Sequence, residues 1–544
     1  MRCFPAVLLF VASLVSATAP QAAELLPAEQ PIETVIDHYV AGLLAKDKIN
    51  AAKQADNATF IRRLTLDLAG RIPTVAETQA YVASTSPSKR VELVDRLLTS
   101  VDFALHHRNE LDVMLSPGRG GGDELRKYLT WAIEQNRPWN AMFSDMLAGD
   151  ETDPYQKAAL SFVRSRAREL DDITNDTSVL FFGVNVTCAK CHDHPLVEDW
   201  KQDHYFGMAS FFHRTYIAKK DRIGEKYSGD LKFKTKKGEE RQAKFMFLTS
   251  TVIDEPQVER TPEQLKELEE AVKKHMKDED PGVAPKIEFS PRAKLVEVAL
   301  RDGDNSFFAK NIVNRMWARL LGRGLIDPLD QITAANPASH PELLDWLMRD
   351  TISHGYDLKR LLRGIVLSQT YARGGQWDAK TELPEGRYFA VTRPRPLSPK
   401  QYGLSLLIAA ANPNQYSASL SPDEWKKRRE QLESAAGGLA SSFEQPRENF
   451  QIAVDEALLF SNSSRIENEL LRDSNDRLIG HLKTLKDLTE QTHAAYWSIA
   501  SRTPTADELA AINDYVTKRA SDPQAALKQV VWSLLTGPEL RFNH

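Results

Sequence analysis

The amino-acid sequence predicts a mainly α-helical protein of two multi-helix domains, with a small β-hairpin insertion between about residues 215 and 255. Three observations carry this reading. First, Ser or Thr recurs three residues before Glu or Gln, at Thr74/Glu77, Thr261/Gln264, Ser339/Glu342, Ser398/Gln401, Ser421/Glu424 and Thr505/Glu508. Such a pair satisfies orphan backbone N–H groups at a helix start, and several carry Pro in the first turn. Second, apolar residues follow at helical spacing, as in Leu343, Leu344, Leu347 and Ile352. Third, the period changes to short alternating runs from Thr215 to Glu255, where Leu231-Lys232-Phe233-Lys234 and Lys244-Phe245-Met246-Phe247 flank a Lys237-Gly238 turn signal.

The chain begins Met1-Arg2 and runs almost without polar residues from Cys3 to Val15, followed by small residues to Ala23. A positive start, a short apolar core and a small-residue exit describe a secretory signal peptide over residues 1–23. The run is too short for a comfortable membrane span. Export to the periplasm or beyond, without a span after cleavage, is the expectation. The 70 basic and 75 acidic residues give a formal net charge of −5. That balance gives no reason to expect nucleic acid as a partner.

At 544 residues the chain is long enough for two or more domains with their own cores. Residues 262–277 read as a highly charged helix, and Asp278 to Pro285, containing Pro281-Gly282, reads as a linker. The expected domains are therefore 24–285 and 286–544. Ala411 to Ser421 is a weak spot, and Ala435 to Ser442 reads as a loop. The segment Leu93-Val94-Asp95-Arg96-Leu97-Leu98-Thr99 resembles both Leu361 to Leu367 and Val530-Val531-Trp532-Ser533-Leu534-Leu535-Thr536. Two of the three are preceded by a second shared element, Arg71-Ile72-Pro73-Thr74 and Arg502-Thr503-Pro504-Thr505. A duplicated helical pair explains this, as does the shared composition of amphipathic helices.

Cysteine use is the most informative count. Of three cysteines, Cys3 falls in the signal peptide, and Cys188 and Cys191 remain, with His192 next. Cys-x-x-Cys-His is the attachment signature of c-type haem. Two thiols on one turn can form thioethers to the porphyrin, and His192 then serves as proximal axial ligand. Met208 is a candidate distal ligand, although a methionine on an apolar helix also reads as core. His204 and His213 are further candidates, although a histidine in such a place is more often hydrogen-bonded or on the surface than a ligand.

The same block carries a family resemblance. Leu180 to Pro195, Phe60 to Pro73 and Tyr205 to Phe212 resemble the planctomycete-type exported proteins with a cytochrome-c-like N-terminal domain and a C-terminal domain of unknown function. The C-terminal half adds Asn311-Ile312-Val313-Asn314-Arg315-Met316-Trp317, Gly322-Arg323-Gly324-Leu325, Ser339-His340-Pro341-Glu342, Gly355-Tyr356-Asp357-Leu358 and Ser368-Gln369-Thr370-Tyr371. The resemblance covers nearly the whole mature chain. It implies the two-domain architecture with a cytochrome-like first domain, while the motif itself points to haem at Cys188, Cys191 and His192; the expected function is periplasmic electron transfer or redox coupling to an unidentified partner.

Other readings of the residues stay open. Cys188, Cys191, His192, His194 and His204 offer nitrogen and sulfur for zinc or non-haem iron. Cys188 and Cys191 also suit a redox disulfide, although no thioredoxin-like βαβ pattern surrounds them. A non-catalytic interaction protein is a reading of another class. Trp317, Trp346, Trp497 and Trp532 either anchor cores or line a groove. Arg315, Arg319 and Arg323, four apart, either form an ion-paired helix face or bind an anionic glycan. No Gly-x-Ser-x-Gly, His-Glu-x-x-His or phosphate-loop motif is present. Asp67, in the apolar stretch Leu64 to Leu68, is either a buried acid or a surface group paired beside Arg62 and Arg63. His340 reads as part of a helix cap.

Overall fold

The computed structural model describes residues 25–118, 122–193, 197, 199–277, 287–378, 380–417, 420–446, 451–452, 454–519 and 521–544. The segment read as a signal peptide, the stretch read as a linker around Pro281-Gly282, and His194 lie outside the described residues. The protein is mainly helical, with only two-stranded antiparallel pairs of strands among the described residues.

All but one of the predicted capping boxes form. At Thr74, Ser398, Ser421 and Thr505 the hydroxyl accepts from the backbone N–H three residues on, and the Glu or Gln side chain reaches back. Thr261 and Gln264 make the same reciprocal bonds. Ser339 does not. The helix Pro341–Ser353 begins one residue later, with His340 at its N-cap position, and Ser339 Oγ lies 3.1 Å from His340 Nδ1 instead.

Two large hydrophobic cores organise the described residues, beside two small clusters. The larger takes side chains from Ile32 through Ala390, on both sides of residue 285. In it the helix Ile32–Lys46 packs against Pro341–Ser353 and Leu358–Leu367, and Trp139–Ala148 packs against Pro291–Leu300. Gly364 allows the approach of Leu358–Leu367 to Ile32–Lys46, since a Cβ there would lie 2.4 Å from the Ile32 side chain. The helix Leu170–Phe182 packs against Gln202–His213 and Ser306–Leu321. The smaller core runs from Leu397 to Leu540 and also takes in Leu66 and Ile72 from the N-terminal part.

Between the helices Gln202–His213 and Pro262–Lys277 lie three antiparallel hairpins. They pair Thr215–Ile217 with Ile223–Glu225, Lys232–Lys234 with Glu240–Gln242, and Phe245–Met246 with Val252–Ile253. Phe245–Met246 is therefore not the partner of the 232–234 strand, as the turn signal suggested. Gly238, at φ +84°, closes a tight turn with Gly238 N–H donating to Thr235. The strand pairs at once with the charged residues that follow, leaving 245–246 to form its own hairpin. A last pair, Arg395–Pro396 with Phe542–Asn543, ties down the C-terminus.

The stretch from Ala435 is not a loop. The helix Pro422–Ala440 runs through Gly437 and Gly438. Small residues serve close packing here: a Cβ on Gly403 would lie 3.1 Å from the Ala436 carbonyl, and one on Gly438 would lie 3.1 Å from the Arg465 guanidinium.

The two shared sequence elements make one bonding pattern twice. A helix ends, Asn57–Ala69 in one copy and Leu488–Ile499 in the other, and a left-handed residue follows, Gly70 or Ser501. Arg71 Nη1 donates to the Ile72 carbonyl and, with Nη2, to both oxygens of Glu77. Arg502 does the same to the Thr503 carbonyl and Glu508. Each arginine then reaches an acid at the start of a later helix, Asp102 or Glu539. The helical pair is thus duplicated in its hydrogen bonding as well as its composition. The third similar segment, in the helix Leu358–Leu367, has no counterpart of the arginine element before it.

Candidate site at the Cys-x-x-Cys-His turn

The motif follows the helix Leu170–Phe182, which stops at Gly183 with φ +67°. A Cβ on Gly183 would lie 2.6 Å from Ile332 and 2.9 Å from Asn311, so only glycine lets the chain pass. The next residues lean on the C-terminal half. Val184 bridges Gln331, Asn185 N–H donates to the Asp330 carbonyl at 3.0 Å, and Ile332 N–H donates to the Gly183 carbonyl at 2.9 Å. The 3-10 turn Thr187–Lys190 then carries Cys188, with Cys191 just beyond it. Ala189 and Val186 point inward and are buried, while both cysteines are exposed and unpaired.

The turn is held from three directions. Lys190 Nζ pairs with one oxygen of Asp171, and Tyr205 Oη donates to the other. Gln202 Nε2 donates to the Lys190 carbonyl at 3.2 Å, and Gln202 N–H to Asp193 Oδ1 at 3.2 Å. The Lys190 and Tyr205 hydrogen bonds hold the Asp171 carboxyl below its ordinary value. Burial, reinforced by the bond to Asp171, pushes the Tyr205 phenol up. Tyr205 therefore stays a neutral donor. Nothing near the motif in sequence pointed to Asp171, which sits a helix earlier.

His192 Nδ1 lies 2.7 Å from the Asp193 carbonyl. With an oxygen acceptor there, Nδ1 carries a proton, so the neutral ring has its lone pair on Nε2. Ligating histidines commonly show this arrangement, because the carbonyl fixes both tautomer and ring orientation. Two accessible thiols and an imidazole in this tautomer fit the donor set of a c-type haem.

The other candidates are placed differently. Met208 is fully buried in the larger core, on the helix Gln202–His213. His204 Nδ1 accepts from Lys201 N–H at 3.2 Å, so its Nε2–H donates to Ser250 Oγ at 3.0 Å. Both its nitrogens are engaged, and burial pushes its pKa down. His213 is exposed at the end of its helix. Among the described residues, no group of three or more His, Cys, Asp or Glu is placed to hold a metal ion.

The arginine stripe is not a solvated face. Arg315 donates to Asn311 and to the Val179 carbonyl at 2.7 Å, capping the helix that leads to the motif. Burial lowers its pKa to about 10. Arg319 turns inward to His107, to the Asp67 carbonyl and toward Glu110, and of the three Arg323 is the one more exposed, paired with Asp327. Trp317 and Trp346 sit in the larger core, and Trp346 Nε1–H donates to the Leu26 carbonyl. Trp497 is half-buried, and Trp532 lies on the surface with its N–H on the Phe460 carbonyl.

Asp67 is buried and ion-paired, but not with its sequence neighbours. Its carboxylate accepts from Arg395, Tyr371 and Asn543. Arg62 and Arg63 instead donate to backbone carbonyls, including Glu539, Tyr371 and Arg373. His340 is buried, and burial, with Arg373 nearby, lowers its pKa to about 4. No helix among the described residues is long and apolar enough to cross a membrane.

No curated protein and no solved structure matches the chain. Residues 35–216 match the family model PSCyt2, described as a protein of unknown function (DUF1549). Residues 291–516 match PSD1, described in the same words (DUF1553). The Cys-x-x-Cys-His turn lies in the first match, and the Asp330 to Ile332 segment that braces it lies in the second. The chain thus carries a PSCyt2 domain followed by a PSD1 domain, the planctomycete-type two-domain layout.

Proposed function

We propose that this is an exported, periplasmic c-type haem protein that transfers electrons to, or couples redox change with, a partner protein. The observation that supports the reading best is the motif turn itself. Its thiols are accessible and unpaired, and its histidine has Nδ1 on a carbonyl and Nε2 left for a metal.

In this reading Cys188 and Cys191 would hold the porphyrin through thioethers, and His192 would offer Nε2 to its iron. The bound group supplies one-electron chemistry at a potential set by its ligands, hydrogen bonds and burial. The chain's own part is positional. Asp193 fixes the imidazole tautomer through its carbonyl. Asp171 anchors Lys190, within the motif, and Tyr205 on the next helix to one carboxylate. The 330–332 segment braces the approach to the turn from the second domain. Met208 is enclosed in the core, so a distal methionine is not part of the proposal.

The test is a pyridine haemochrome assay on denatured chain, matured in a host able to attach c-type haem. The wild type is expected to give a covalent c-type spectrum. The Cys188→Ala/Cys191→Ala double variant is expected to be colourless, yet folded. A colourless wild type that has been exported would refute the reading.

A further inference from the structure

The second hairpin, Lys232–Lys234 with Glu240–Gln242, stands beside the motif, and one buried side chain joins the two. Gln202 Nε2 donates to the Lys190 carbonyl inside the motif at 3.2 Å and to the Lys234 carbonyl at 3.5 Å. Gln202 Oε1 accepts the Lys236 N–H at 3.2 Å. Phe233 stacks on Phe206 of the same helix, with ring centroids 4.1 Å apart. Hydrogen bonds and an aromatic stack therefore both hold the hairpin tip against the motif turn.

The charge of the hairpin is opposite to that of the chain. Residues 231–244 carry six basic side chains and two acidic ones, whereas the whole chain has 70 basic and 75 acidic residues. The hairpin's acids are spent: Glu240 pairs with Lys232, and Glu239, like Asp203 on the neighbouring helix, pairs with Arg241. On the motif side Asp171 is taken by Lys190. Asp193 and Asp199, between the motif and the helix, each accept a backbone N–H, and the exposed Lys201 follows them in the chain. Lys234, Lys236 and Lys237 are left, all exposed and with no ion-pair partner among the described residues. Lysine on a strand edge guards it against pairing with another chain, but Lys236 and Lys237 lie in the turn, where there is no edge to guard.

We infer that this lysine tip is the docking surface for an acidic electron-transfer protein, which it steers to the exposed cysteine turn. A positive patch on a negative chain orients an anionic partner as it approaches, and acts on the association rate more than on the final affinity. The redox chemistry of the partner rests on the function proposed above; the surface and its charge do not.

Flavodoxin, a small acidic redox protein, is the probe, with its association to the full-length mature chain followed by surface plasmon resonance. That readout needs no haem, so its failure is separate from a failure of the haemochrome assay. The variant Lys234→Glu/Lys236→Glu/Lys237→Glu should slow association about tenfold at low salt. The difference should vanish near 1 M salt, where screening acts within about 3 Å. Lys53→Glu/Lys426→Glu/Lys427→Glu changes the net charge equally, two of its sites lying on the helix Pro422–Ala440 of the smaller core, and should leave the rate near that of the wild type. The turn pair alone, Lys236→Gln/Lys237→Gln, should slow association by a smaller factor, and decides the question if the triple variant fails to fold. No association of the wild type, or equal rates in the two triple variants, overturns the inference. So does a tip variant that keeps its flavodoxin rate but loses binding to phosphatidylglycerol vesicles, which would mark a membrane contact instead.

Discussion

Arg71 and Arg502 make the same set of hydrogen bonds near opposite ends of the chain, yet their surroundings differ. The Arg71 side chain is 2% exposed and that of Arg502 is 30% exposed. The helix Pro422–Ala440 makes the difference. Its Trp425 stacks under the Arg71 guanidinium at 4.6 Å and donates to Asp102, and its Arg429 donates to the other oxygen of Asp102. Arg502 has its own Tyr496 ring at 5.2 Å, and its second acid, Glu539, keeps 31% of its side chain exposed. The local bonding is therefore written in a short stretch of sequence, while its energetic weight is set by what a distant helix places over it. Charged groups sealed from water depend on one another far more than the same groups left wet.

The largest expected effect follows from that sealing. Arg71→Ala takes from Glu77 its main partner and from Asp102 one of three sealed donors, and should cost about 3–5 kcal/mol in a denaturant melt. Arg502→Ala removes the same contacts from a partly exposed triad and should cost about 1 kcal/mol. Equal losses would mean that the covering helix adds nothing, and the contrast would fail.

Acid unfolding sharpens the same comparison at a smaller scale. Burial alone would raise the Glu77 carboxyl, but the Arg71 guanidinium brings it down to about 2. The Arg502 hydrogen bonds bring Glu508 down to about 2 as well. An acid with a depressed folded value adds stability above its unfolded value, near 4.5, and loses it as pH falls toward 2. Glu77→Gln should therefore flatten the stability profile across that window. Glu508→Gln, being more solvent-screened, should flatten it less. A larger effect at Glu508 would reverse the ranking.

Much of the architecture was legible because it is local. The capping boxes at Thr74, Ser398, Ser421 and Thr505 and the glycine turn at 238 need only neighbouring residues. Cys188, Cys191 and His192 were visible as a motif for the same reason. What escaped is what depends on distant chain. Asp67 finds Arg395 and Asn543, and Asp102 finds Arg429, hundreds of positions away. Arg315 and Arg319 look like a surface stripe until the helices they serve are packed beside them. The stretch with Ala436 and Gly438 reads as a loop because close packing, here against Gly403 and the Arg465 guanidinium, and chain flexibility call for the same small residues. In the candidate site the motif residues were legible, but the support from Asp171, Gln202 and Asp330 was not.

The proposed haem centre is tested most directly by the intact mass of the mature chain purified from an exporting, haem-attaching host, with a count of free thiols on the same sample. The account predicts the mass of the signal-cleaved chain plus one haem, and no titratable thiol at Cys188 or Cys191. The bare chain mass with both thiols free would contradict it.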